Sequence, residues 1–307
     1  MPTIATLTVN PTIDKSSSVD TVASEIKLRC DEPRFDPGGG GINVSRAVKK
    51  LGGASTAIYT SGGGSGMMLT RLLDAEAITT NPIAISDMTR ENLTVYEKSS
   101  GLQYRFGMPG PHISEWQRCI DVTLATGADY IVASGSLAQS MPTDFYKILA
   151  DEVAKTDSKL IVDTSGEALE ACADAGVFLL KPNLYELELL SGKKFESEDK
   201  MLIVVREMIA DHMAEVFVIS MGAAGAMMIT ADQAVKLRPP VVPIQSKVGA
   251  GDSMVGGIVW SLSQDDDILT AVRYGVAAGS AAVMTTGTEL CRADDVHDIF
   301  GRIAILD

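Results

Sequence analysis

An α/β domain with a mostly parallel central sheet flanked by helices, and with a small β-sheet lid, is the fold class this sequence predicts. Three observations lead to it. Short apolar runs of strand length alternate with helical patterns along most of the 307 residues, the mark of βα units that bury both faces of a sheet. The alternation fails over 12–36 and 88–108, where strand-like runs such as Leu93–Lys98 and Gln103–Phe106 carry no helix between them. Hydrophobic residues make up 46% of the chain, enough for a large core.

In chain order, the predicted strands are Ile4–Val9, Ala57–Thr60, Tyr130–Ser134, Leu160–Asp163, Val177–Leu180 and Val216–Ser220. Helical spacing predicts helices over 42–52, 66–76, 115–126, 143–155, 184–191, 199–213, 252–264, 267–286 and 294–303. The main domain is expected over 1–11, 37–87 and 109–307, and the lid over 12–36 and 88–108. A small sheet with exposed edges and apolar faces needs covering, so the lid is also the expected homodimer interface.

Composition narrows the partners. A net charge of −14 argues against nucleic acid. It also requires any anion site to be a local basic cluster working against the overall field. No stretch approaches the ~18 to 20 apolar residues of a membrane helix, and Met1–Thr6 lacks a signal-peptide pattern. Cys30, Cys119, Cys172 and Cys291 form no CxxC pair, so neither zinc nor a disulfide framework is supported. His112, His212 and His297 share no ligand spacing. A cytoplasmic location is expected.

The most informative feature is Gly249-Ala250-Gly251-Asp252, placed where Val255, Ile258, Val259 and Leu262 begin to recur at helical spacing. A helix N-terminus offers unpaired amides and a positive dipole end, and glycines let a ligand approach the backbone. Asp252 is placed to accept a proton from an attacking hydroxyl. Taken alone, the tetrapeptide fits a tight turn with an acid favoured by the dipole equally well. A second cluster, Gly38–Gly41, reads as a loop feeding the helix of Val44, Ala47, Val48 and Leu51. It does not fit a dinucleotide-binding loop, because Asp36-Pro37 precede it and the sixth motif position is Asn43. The Gly62–Gly66 run lacks the Gly-Lys-Ser/Thr ending of a P-loop.

Asn10-Pro11-Thr12-Ile13-Asp14, Gly38–Gly41 with Asn43, Lys181-Pro182-Asn183 with Glu186, and Gly249–Asp252 occur in an order and spacing that resemble the PfkB (ribokinase-like) family of carbohydrate kinases. Within it, Lys27–Cys30, Thr89–Leu93, Gln103–Phe106 with Met108–Gly110, Asp163–Leu169 and Val248–Met254 are similar to the bacterial type 2 6-phosphofructokinase branch.

The resemblance implies ATP- and magnesium-dependent phosphorylation of a ketohexose phosphate at a primary hydroxyl. Fructose 6-phosphate is the first candidate, with tagatose 6-phosphate and fructose 1-phosphate as alternatives. It implies Asp252 as base, with the amides of Gly249, Ala250 and Gly251 as the anion hole. Asp14 and Asn43 would bind sugar hydroxyls, with Gly39, Gly40 and Ser136 beside them. Lys27, Arg90 and Arg105 would hold the sugar's own phosphate, some of them across a homodimer. Lys181, Asn183, Ser220, Gly222 and Gly225 would face ATP, and Glu186 would serve magnesium, directly or through water. Ser246, Val248, Ala282, Thr285 and Gly287 match a potassium-binding loop pair. One departure concerns the loop Ser134–Ser140, where the similar branch has Ser-Gly-Ser-Leu-Pro-Pro-Gly. Losing both prolines and the glycine predicts a looser loop. A non-catalytic sugar-phosphate or nucleotide sensor on the same fold remains a different class of reading.

Overall fold

The computed structural model describes residues 1–306. Along the chain the first strands are β1 (Ile4–Thr8), β2 (Thr12–Val19), β3 (Arg34–Gly38), β4 (Thr56–Ser61), β5 (Thr79–Ala84), β6 (Arg90–Glu97) and β7 (Gln103–Phe106). There follow β8 (Tyr130–Ser134), β9 (Lys159–Asp163), β10 (Val177–Leu180), β11 (Ala214–Ser220), β12 (Ala226–Ile229), β13 (Ala234–Arg238) and β14 (Ala304–Leu306). The helices are α1 (Gly40–Lys50), α2 (Gly63–Ala75), α3 (Gln117–Leu124), α4 (Phe145–Val153) and α5 (Glu167–Glu170), then α6 (Leu184–Ser191), α7 (Glu198–Ala210), α8 (Ala250–Leu262), α9 (Ile268–Ala282) and α10 (Ala293–Arg302).

Ten strands form one sheet in the order β14-β13-β12-β11-β10-β9-β8-β1-β4-β5. Pairing is parallel from β11 through β5 and antiparallel from β11 to β14. Side-chain alternation feeds two cores. Leu7, Ile131, Val162, Leu180 and Phe217 pack with α3, α4 and α7 residues on one face. Val132, Ile161, Leu179 and Val218 pack with α1, α8 and α9 on the other.

All six predicted strands are present. The four main-sheet strands not predicted have physical reasons for escaping notice. β5 is an edge strand containing Pro82, with only Ile83 buried. β12 and β13 are short and carry Ala, Met and Lys rather than a β-branched alternation, and β14 has three residues. The Gly38–Gly41 loop needs correction: α1 already begins at Gly40. Gly39 at its N-cap has φ +118°, and a Cβ on Gly40 would stand 2.2 Å from Ser134 Oγ. Glycine thus lets the helix start hard against the end of β8.

The two helix-free stretches form a separate four-stranded sheet, β3-β2-β6-β7. Its central pair, β2 and β6, runs parallel from Thr12↔Arg90 to Val19↔Glu97. Tyr96, Leu102, Phe106 and Met108 remain exposed on or beside it. Among the described residues, no helix is long and apolar enough to cross a membrane.

Candidate active site

The carboxyl ends of β8, β9, β10 and β11 lie side by side, the edge where open α/β sheets bind ligands. Asp163 ends β9 and Lys181 follows β10. Facing them is the N-terminus of α8. Gly249 caps it with φ +75°, and the first intrahelical bond is from Ser253 N to Gly249 O, 2.8 Å. The amides of Ala250, Gly251 and Asp252 therefore precede the hydrogen-bonded ladder, as an anion hole requires. Asn43, in the first turns of α1, donates from Nδ2 to Asp252 Oδ2 at 2.9 Å.

Lys181 is 5% exposed and pairs with Asp163 Oδ1 at 3.0 Å. Burial works against its charge, but Asp163, Glu186 and Asp252 outweigh it, and its pKa moves upward. Asp252 goes the other way for an acid. Burial, reinforced by the charges of Asp163 and Asp14, pushes its carboxyl up from 3.8 to about 6, against the pull of Asn43's hydrogen bond and Lys181. A carboxylate near 6 is a far better proton acceptor at neutral pH than an ordinary aspartate.

Asp14 lies on β2 and accepts from Asn92 Nδ2 at 3.2 Å. Burial, with Asp36 adding to it, raises its pKa against the hydrogen bond of Asn92 and the charges of Arg90 and Arg105. Arg90 donates from Nη2 to Asn10 O at 3.0 Å, while its buried Nε has no partner among the described residues. A cavity of about 570 Å³ is lined by Asp14, Asn92 and Arg105 on one side and by Ser246, Val248 and Gly287 on the other. Lys27 is not brought to it; it lies exposed in the irregular stretch between β2 and β3. Ser136 accepts from Asn10 Nδ2 at 3.1 Å.

Asn183 and Glu186 form a capping box on α6: Asn183 Oδ1 accepts from Glu186 N at 2.9 Å, and Glu186 Oε2 accepts from Asn183 N at 2.8 Å. Ser220 is tied to the same corner by its amide to Pro182 O, 3.0 Å. Gly222 opens the short turn Gly222–Ala224, and Gly225 follows it. The 246–248 and 282–287 loops meet through Ser246 Oγ to Gly287 O, 3.2 Å. The Thr285 hydroxyl is bonded to the carbonyls of Ala282 and Leu290, both at 2.9 Å.

The sequence reading missed three residues at the centre. Asp163 was placed at a strand end but given no role. Arg46 and Glu76 form a two-bond pair, Nε to Oε2 at 2.8 Å and Nη2 to Oε1 at 2.7 Å. Arg46 Nη1 reaches Asn43 Oδ1 at 3.1 Å. The available signal is Arg46 one turn after Asn43, on the side of α1 opposite Val44, Ala47, Val48 and Leu51.

The sequence matches the profile of the pfkB family carbohydrate kinases over residues 5–295. The chain belongs to this family. It is 41% identical over 303 residues to the ATP-dependent 6-phosphofructokinase isozyme 2 of Mycobacterium tuberculosis, spanning 97% of this chain and 89% of that protein. Its fold matches the crystal structure of phosphofructokinase-2 from Escherichia coli in complex with potassium, with TM-score 0.93 and 38% identity, covering 98% of this chain and 99% of that one. The complex of the same enzyme with fructose-6-phosphate matches with TM-score 0.91, at the same identity and coverage.

Set against the pattern of the similar pfkB branch, the loop Ser134–Ser140 is tied rather than loosened. Gln139 N donates to Pro111 O at 3.0 Å, a bond that a proline there could not make, and Ile113 N donates to Gln139 O at 3.1 Å. Ser140 holds φ +65° without being glycine, and its Oγ meets His112 Nδ1 at 2.8 Å. Hydrogen bonds replace covalent stiffness.

Proposed function

We propose that the protein is an ATP-dependent kinase that phosphorylates a ketohexose phosphate at a primary hydroxyl, with fructose 6-phosphate as the preferred acceptor. The observation that carries this is the setting of Asp252. A carboxylate with its pKa raised to about 6 stands at a glycine-flanked helix N-terminus, with Asn43 on one side and Lys181 nearby. Asp252 accepts the proton of the acceptor hydroxyl as the bond to phosphorus forms. The amides at the start of α8 and the Lys181 ammonium meet the charge on the transferring oxygens.

Asp14 and Asn43 orient the sugar. Arg90 and Arg105 bind its existing phosphate; Arg105 lines the cavity, while the Arg90 guanidinium is held on Asn10 O with its Nε buried. Lys27 reaches that phosphate from the partner subunit of a homodimer joined through the small sheets, whose exposed Tyr96, Leu102 and Phe106 supply an apolar face to cover. The small sheet acts as the lid that keeps water from Asp252.

Magnesium prefers oxygen ligands, keeps several waters and is commonly completed by substrate phosphates. The residues present fit that habit. Glu186 uses only Oε2 in its cap, and among the described residues no group of three or more His, Cys, Asp or Glu forms an all-protein cage. Glu186, with Asn183 beside it, would hold the ion, whose charge would neutralise the nucleotide phosphates. Lys181, Ser220, Gly222 and Gly225 line the ATP side. The carbonyls of Ser246, Val248, Thr285 and Gly287 suit potassium, since each keeps a lone pair beyond the bonds described, whereas Ala282 O already accepts from both the amide and the hydroxyl of Thr285.

The test is ADP release with fructose, fructose 6-phosphate, fructose 1-phosphate and tagatose 6-phosphate as acceptors, with and without magnesium and potassium. Fructose 6-phosphate should give the highest kcat/KM. Preference for free fructose would overturn the assignment of Arg90 and Arg105, and binding without ADP release would leave a sensor.

A further inference from the structure

The pair Arg46–Glu76 lies behind the site, out of reach of any substrate, yet its bonds end on the base. Arg46 is 3% exposed. Its Nε and Nη2 each donate to one carboxylate oxygen of Glu76, and the two N–H groups of Nη1 are shared among the carbonyl of Pro37 at 3.1 Å, the carbonyl of Thr288 at 3.2 Å and Asn43 Oδ1 at 3.1 Å. A side-chain amide can present either its oxygen or its nitrogen to a neighbour, and the wrong face toward a carboxylate is repulsive. A guanidinium only donates, so it admits only the oxygen of Asn43. The amide nitrogen is then forced toward Asp252, where it donates at 2.9 Å.

We propose that Arg46, clamped by Glu76, is a positioning residue that fixes the donor face of Asn43 on Asp252 and so sets the direction and readiness of the base. The inference rests on the reading of Asp252 as the base. The clamp also has reach. Pro37 lies at the end of β3, Glu76 closes α2 and Thr288 follows the 282–287 loop, so one buried cation joins the small sheet to two other segments of the chain. A freed Asn43 could turn over or swing away. Asp252 would then face Asp163, Asp14 and Lys181 without its one hydrogen-bond donor. Losing a donor to the charged form raises a carboxyl further.

Arg46→Ala risks misfolding, because it strands a carboxylate and an amide in the interior. Glu76→Ala leaves the buried guanidinium without its carboxylate, so Glu76→Gln, which keeps an acceptor at the partly exposed end of the pair, is the safer variant. The experiment therefore measures kcat, both KM values and the pH profile of kcat for Glu76→Gln, Glu76→Ala, Arg46→Lys, Asn43→Ala and the double variant Asn43→Ala/Glu76→Ala, with thermal melting as a check on folding. Glu76→Ala and Arg46→Lys should lower kcat on the order of 10- to 100-fold, as expected for a misplaced catalytic group. KM for the nucleotide should change by less than about threefold, since no nucleotide contact is removed, whereas KM for the sugar should rise with the displacement of Asn43. The acid limb should move to higher pH, and Glu76→Gln, which keeps an acceptor, should lose less.

In the Asn43→Ala background, Glu76→Ala should cost nothing more, because its effect passes through Asn43. Folded variants with wild-type kcat and acid limb, or losses that simply multiply in the double variant, would overturn the proposal and leave the pair as a structural strut. The side-chain amide resonance of Asn43 in ¹⁵N-labelled protein, assigned by its absence in Asn43→Ala, reads the clamp without turnover. If it moves in Glu76→Ala while the wild type releases no ADP with any acceptor, the clamp stands and the kinase reading falls. If it does not move, the clamp itself is wrong.

Discussion

The two halves of the crevice are built differently. On the main-sheet side, every charged group is engaged: Asp252 with Asn43, Asn43 with Arg46, Arg46 with Glu76, Lys181 with Asp163. On the small-sheet side, Arg105 and Lys27 are exposed, and Arg90 keeps an unpaired donor. The first arrangement is preorganised, so little reorganisation remains for the reaction itself. The second leaves Arg105 open to a ligand, and Lys27 meets no partner among the described residues. On the roles proposed above, chemistry and substrate choice fall to separate pieces of this molecule, and each should fail in its own way.

The largest expected effect is at Asp252. Asp252→Asn should lower kcat by about 10³-fold or more in an ADP-release assay. It should also raise Tm. The folded pKa, about 6, lies above the ordinary 3.8, so ionisation of Asp252 opposes folding. That penalty is absent below about pH 4, grows as pH rises toward 6 and is complete above it, where it amounts to at most about 3 kcal/mol. The gain in Tm should therefore be seen at pH 7.5 and vanish near pH 4. Wild-type kcat/KM, for the same reason, should fall as pH drops through about 6.

Lys181→Met should damage both activity and fold, because it leaves Asp163 buried without its cation. A loss of about 3 to 5 kcal/mol in urea unfolding is expected. Arg105→Ala should instead raise KM for fructose 6-phosphate by roughly 10- to 100-fold, the value of a charge-assisted phosphate contact, with kcat and Tm nearly unchanged. A drop in Tm for Arg105→Ala comparable to that of Lys181→Met would erase the contrast between the halves. Gln139→Pro has the smallest expected effect. It removes the donor to Pro111 O and should cost about 1 kcal/mol in the same unfolding assay, and an unchanged stability would mean that this bond does not tie the loop.

Much of this was legible in the sequence because local patterns carried it. Apolar periodicity gave the parallel strands, and Gly249–Asp252 sat where an amphipathic helix began. The small sheet showed itself as a gap in that periodicity. What stayed hidden depended on distant partners or on weak patterning. Arg46 finds Glu76 thirty positions away, and Asp163 finds Lys181 across neighbouring strands, so neither pair has a local signature. Strands β12 to β14 lack the β-branched alternation that a strand prediction needs. In the loop Ser134–Ser140 the sequence shows the loss of proline as lost stiffness, while the donor gained at Gln139 N shows only once Pro111 O stands beside it.

The parallel pairing of β2 and β6 makes the small sheet a lever. Both strands leave the main body at the same end, Thr12 beside Arg90, and run outward for eight residues. At ~3.3 Å per residue, Asp14 lies about 7 Å from that fulcrum and the far end about 23 Å. A rotation of about 10° would then shift Asp14 by about 1 Å and the far end, where the Lys27 segment begins, by about 4 Å. The groups nearest the chemistry stay in register while the outermost ones swing, so a single small rotation can admit a sugar phosphate without disturbing the carboxylate that awaits it.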